Sequence, residues 1–107
     1  MPKFMYQARY TPEGFRGLLT DSASGRKAAV EAALRAVGGQ LESFYYCFGG
    51  DDAVLIVDLP DNITAASVAV NVAASGLVSV KTTPLLTVEE TDRALGGKVA
   101  YRAPGTA

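Results

Sequence analysis

Two aspartates, Asp51 and Asp52, stand side by side in the run GGDDAVLIV at residues 49–57. Adjacent carboxylates can do general acid–base work, because a neighbouring negative charge raises the pKa of one of them. The same pair also suits a plain chain reversal, since an Asp oxygen accepts local backbone N–H bonds. Consecutive strand residues point to opposite faces, so two adjacent acids seldom converge on one substrate. The turn reading is the stronger one for this pair. Tyr6, Tyr45 and Tyr46 each offer an apolar ring with a polar tip, suited to gripping a small organic ligand and equally to filling a core or an interface. Tyr45 and Tyr46 alternate, so at most one of them shares a pocket with Tyr6. Arg9 and Lys81 are the cations of interest, able to meet an anion, to meet Asp58 across an interface, or to stay solvated. Cys47 has no neighbouring base to form a thiolate and reads as a quiet thiol.

The chain contains no His and no Trp. Without His, a Ser-His-Asp or Cys-His apparatus is ruled out within one chain, as are His-ligated haem and the usual zinc sites. No metal site and no cofactor is expected, and any catalysis would fall to carboxylates, Lys, Arg or Tyr. Lys and Arg number 10 against 11 acids, a net charge of −1, where a nucleic-acid binder shows a basic excess gathered on one face. An RNA-binding use of a four-stranded sheet would also need stacking aromatics on the third strand, which has none. Neither nucleic acid nor membrane is an expected partner, since no apolar run approaches the ~20 residues of a membrane span. Met1–Tyr10 shows no signal pattern and the lone Cys47 fits a reducing compartment, so the expectation is a cytoplasmic protein.

These residues must be positioned by a domain of 107 residues, enough for one core. Residues 3–10 alternate Phe4, Tyr6, Ala8 and Tyr10 against Lys3, Met5, Gln7 and Arg9, which predicts a strand. TPEG at residues 11–14 reads as a turn, and residues 15–21 as irregular with Leu18 and Leu19 tucked inward. Residues 24–37 place Val30, Ala33, Leu34 and Val37 at helical spacing, with Lys27, Glu31 and Arg35 as a solvated row and Gly38-Gly39 as the stop. Residues 40–48 and 53–59 predict a hairpin of two strands. Residues 62–75 mix strand-like alternation with abundant Ala, and a cap at Asp61 or Asn62 and Gly76 at the end favour helix. Residues 77–87 predict a fourth strand whose Pro84 marks an edge or a bulge. A short helix at residues 88–95 carries Glu89, Glu90 and Asp92 to complement its dipole. Residues 1–95 are read as one domain and 96–107 as a flexible tail.

The order β-α-β-β-α-β predicts an α+β, ferredoxin-like sandwich: a four-stranded antiparallel sheet with two helices on one face, strands one and three central. On the third strand Ala53, Leu55, Val57 and Leu59 line one side, while Val54 and Ile56 line the other, with Asp58 interrupting the second row. A strand apolar on both sides needs a cover on both sides, and one chain this short supplies only one. The second helix is also apolar nearly all round, with Val68, Val70 and Val72 among alanines. Both features predict a homo-oligomer, built from sheets face to face and open to further stacking through helices.

Three stretches, MPKFMYQARYTPEGF, RKAAVEAALRAVGGQLESFYYCFGGDDAVLIVDLPDN and GLVSVKTTPLLTVEE, are similar to the GYD domain family over roughly residues 1–92. The resemblance implies small bacterial or archaeal proteins of ferredoxin-like, dimeric α/β-barrel type without an established general function. The family's name-giving motif falls on Gly50-Asp51-Asp52, where the Gly and the final Asp match and the central Tyr is Asp51. The resemblance makes Asp52 the better binding candidate of the acidic pair. The expectation is a homo-oligomeric module binding a small molecule or a protein partner without catalysis, through Tyr6, Arg9, Tyr45, Asp52 and Lys81. The alternative is a cofactor-independent monooxygenase-like or isomerase-like enzyme using Tyr, Arg and Asp on a small aromatic substrate.

Overall fold

The computed structural model describes residues 1–106. Four strands, β1 (Lys3–Tyr10), β2 (Gln40–Tyr46), β3 (Ala53–Asp58) and β4 (Val78–Leu85), form one open antiparallel sheet in the order β2-β3-β1-β4. Four helices accompany them: α1 (Pro12–Thr20), α2 (Ala23–Ala36), α3 (Asn62–Ala74) and α4 (Val88–Leu95). The expected central strands are central, and Pro84 sits on the edge strand β4, where a missing N–H breaks no inner ladder.

The alternation along β1 divides the sheet into two faces. Phe4, Tyr6 and Ala8 are buried, and with Ala53, Leu55, Val57 and Leu59 they form the core under α2 and α3. Leu34 from α2 and Ala65 from α3 complete it. On the reverse face Met5, Val54 and Ile56 remain half-exposed in the single chain.

Residues 12–20 are a helix, not a turn followed by an irregular stretch. Thr11 is its N-cap, with Oγ1 accepting from Gly14 N, and Pro12 takes the first position, where its missing N–H and fixed φ suit a helix start. Leu19 is 86% exposed rather than tucked inward. Gly14 lets α1 approach the chain at Leu77, whose carbonyl oxygen accepts from Thr11 N at 2.9 Å. A Cβ at Gly14 would collide with that same oxygen. Gly14→Ala is therefore expected to push α1 outward and cost about 1–3 kcal/mol, the range for overpacking a fixed contact. Urea unfolding measures it, and an unchanged midpoint would contradict the close approach.

Asp61 caps α3, its Oδ1 accepting from Thr64 N at 2.7 Å, and Gly76 follows with φ +73°. This resolves the strand-or-helix ambiguity of residues 62–75 in favour of helix. Along α2, Lys27, Glu31 and Arg35 make no ion pair among the described residues. α4 forms over the expected residues, and a capping box of Thr87 and Glu90, which the sequence reading did not name, opens it. α4 and residues 96–106 stand off from the body: Val88, Leu95, Val99 and Tyr101 are all exposed. The radius of gyration, 17.2 Å, accordingly exceeds the about 13 Å of a compact domain this size.

Candidate functional site

The two helices on the covered face rest on opposite edges of the sheet, α2 on β2 and α3 on β4, and scarcely touch each other. The gap between them is a cleft of about 160 Å³ floored by the sheet. Apart from Arg26 its walls are apolar: Val30 and Leu34 from α2, Val68 and Val72 from α3, Phe44 and Val80 from the outer strands. A second hollow of about 350 Å³ adjoins it beside α1, and the two share Tyr10, Arg26, Val72 and Val78.

Tyr6 lies in the cleft floor, 4% exposed, and its hydroxyl donates to the Ala65 carbonyl at 2.7 Å. Burial pushes that hydroxyl up to about 12, so it stays protonated and committed to α3. Tyr46 shares this face. Its hydroxyl donates to the Ala23 carbonyl at 3.4 Å, its ring packs at 4.9 Å on Phe44, and burial pushes its pKa up.

Tyr45, Arg9 and Lys81 lie on the opposite face, away from Tyr6. Tyr45 pairs with Val54 and is 71% exposed, Arg9 lies opposite Ser79, and Lys81 lies opposite Gln7. Lys81 Nζ is 3.4 Å from Asp51 Oδ2, and Gln7 Nε2 donates to the same oxygen at 3.1 Å. Asp52, the favoured acid, ties the hairpin loop to the end of β1: its Oδ2 accepts from Tyr10 N at 2.9 Å and its N–H donates to the Ala8 carbonyl at 2.8 Å. The loop residue Gly49, at φ +129°, makes that reversal possible. Cys47 Sγ lies 3.2 Å from the Asp51 carbonyl within the same loop.

The far end of the open face holds a second polar group. Lys3 Nζ donates to Asp58 Oδ1 at 2.8 Å and to Glu42 Oε1 at 2.9 Å, and Gln40 Nε2 donates to Asp58 Oδ2 at 3.1 Å. Burial pushes the Asp58 carboxyl up, but the hydrogen bonds and charge of Lys3 with the help of Gln40 outweigh it and hold it below the usual range. The hydrogen bonds to Asp58 and Glu42 push Lys3 up to about 12. Asp58 thus finds its cation in its own chain, on the neighbouring strand. Between the two polar groups Met5, Ile56 and Thr83 lie in register across three strands, and Val54 lies opposite Gln7.

The five residues singled out in the sequence therefore split. Tyr6 is in the cleft, Arg9, Tyr45 and Lys81 share the open face, and Asp52 belongs to the hairpin. Sequence reasoning missed Arg26, which walls the cleft, although it sits four residues before Val30 on the same helical stripe. It also missed Asp51 as the partner of Lys81 and Gln7 as a donor to the same carboxylate. No group of His, Cys, Asp and Glu able to hold a metal ion occurs among the described residues, and no helix there is long and apolar enough to cross a membrane.

A family model described as the GYD domain matches residues 4–95. No curated protein and no solved structure matches the chain.

Proposed function

We propose, from the premise that the chain belongs to the GYD domain family, that it is a homo-oligomeric module holding a small apolar molecule in the α2–α3 cleft without catalysing its conversion. The observation that carries the reading is the cleft itself: walls apolar but for Arg26, an opening between two helices that scarcely meet, and a polar floor group already satisfied within the protein. Small-molecule sites are concave and mostly apolar with few polar groups. Catalysis would need an acid or base within hydrogen-bond reach of the bound molecule. Tyr6 is committed to Ala65, while Arg9, Lys81 and Asp52 lie outside the cleft, so the monooxygenase-like or isomerase-like reading lacks its convergent groups.

The oligomer follows from the other face. The strand order, with α2 and α3 on one side, fits a ferredoxin-like arrangement, and the half-exposed middle of the open face fits pairing with a second copy. Two sheets packed face to face would make the dimeric α/β barrel. The polar groups at either end, Lys3–Asp58–Glu42 and Lys81–Asp51–Gln7, would then form the rim around an apolar middle.

Ala33 lines the cleft and is itself exposed, so a larger side chain there fills the opening without entering the core. Ala33→Trp is expected to weaken binding of a neutral apolar fluorophore at least about tenfold, the worth of roughly 1.4 kcal/mol, with the unfolding midpoint held. Native mass spectrometry of the freshly purified protein should show a bound molecule that this variant lacks. Unchanged fluorophore binding by the variant would remove the cleft as the site.

A further inference from the structure

We propose that the molecule held in the cleft carries a single anionic group, which docks on the Arg26 guanidinium. This rests on the cleft being a binding site and adds the chemical class of its ligand. Arg26 lies in the first turns of α2, half-buried, where the cleft and the adjoining hollow share a wall. A guanidinium is always charged and offers five N–H donors in a planar fork. Partly buried cations ordinarily find a carboxylate. Arg26 makes no ion pair and no side-chain hydrogen bond among the described residues, although its surroundings withdraw it from water. It is the one charged residue lining the cleft, among fifteen apolar or tyrosine neighbours.

The charge balance limits what the group can be. Asp21 lines the adjoining hollow and makes no ion pair with Arg26, so its field opposes part of the cation's pull. A monoanion such as a carboxylate or sulfonate matches one guanidinium, whereas a phosphate dianion would face Asp21 with a charge left over. Tyr10 stands in both walls, and Tyr46 is near enough that the Arg26 charge opposes the upward push of burial on its hydroxyl. The cleft takes an apolar body, the shared wall takes the anion, and the hollow beside α1 leaves room for the rest. Together the two spaces fall within the roughly 300–1,000 Å³ usual for small-molecule sites.

The test compares two fluorophores with the same aromatic body, anilinonaphthalene sulfonate and its neutral parent phenylnaphthylamine. The unaltered protein should bind the sulfonate at least about tenfold more tightly, as a charge-assisted hydrogen bond of about 1.5–3 kcal/mol implies. Arg26→Gln should bring the sulfonate down to the level of the neutral parent while leaving the parent unchanged. Arg26→Lys should keep part of the preference, and Ala33→Trp should weaken both. Equal affinities in the unaltered protein, or a preference that survives Arg26→Gln, would overturn the anion inference while leaving the apolar site standing. Binding of neither probe, or of both without regard to Ala33→Trp, would overturn the site and the inference together.

Discussion

Ile56→Asp is expected to leave the protein monomeric at micromolar concentrations where the unaltered chain, on the proposed pairing, is expected to sediment as a dimer. Ile56 sits in the middle of the open face, opposite Met5 on one side and Ser43 on the other. A face-to-face pair related by a two-fold axis would bury both copies of this residue near its centre. Lys3 is taken by Asp58 and Glu42 and Lys81 by Asp51, and Arg9 lies four residues along β1 from Met5, the neighbour of Ile56, so no cation of the same chain stands beside a carboxylate there. Leaving a charge buried and unpaired costs about 3–5 kcal/mol, which weakens association by at least roughly a hundredfold. The single chain should keep its fold, since Ile56 is half-exposed there and lies away from the core under α2 and α3. Sedimentation equilibrium reads the outcome. An unaltered chain that stays monomeric, or a variant that still pairs, would show that this face is not the contact.

Phe4→Ala should come close to unfolding the protein. Phe4 is 2% exposed and stands on the central strand β1, paired with Val57 on β3 and Pro84 on β4. Truncation leaves a cavity bounded by two ladders that cannot close over it, and such losses run to about 3–5 kcal/mol. A domain of this size holds about 5–15 kcal/mol in all. With about 4–8 °C lost per kcal/mol, the melting midpoint should fall by more than about 10 °C. A fall of only a degree or two in calorimetry would mean that the sheet rearranges to fill the space.

Much of this architecture is legible in the residues, and the exceptions have physical causes. The period of two along β1 and the β-α-β-β-α-β order place the first and third strands at the centre of the sheet, where they are found. The first helix escapes notice because Pro12 and Gly14 are turn residues in most settings. Here the Pro fills the first helical position after a Thr cap, and the Gly exists for the contact with Leu77. The faces of β2 are not readable by alternation alone. A register shift between Leu41 and Ser43 lets Leu41 pair with Val57 and Phe44 with Leu55, so both turn inward despite an odd separation. That shift puts Tyr46 on the cleft side with Tyr6 and sends Tyr45 to the open face. Asp58 is read as an interruption of the apolar row, whereas the neighbouring strand supplies Lys3 across a register that sequence does not fix. Arg26 is overlooked because attention goes to the charges four apart behind it, and its environment depends on how far α2 stands from α3.

That spacing has a mechanical side. Since one helix rides on each outer strand, the width of the aperture is governed by how strongly the sheet coils about its own centre rather than by any lock between the helices. A second subunit gripping the reverse surface would stiffen that coiling. Loading of the aperture and cohesion of the assembly would then be linked quantities, each altering the other by the same factor.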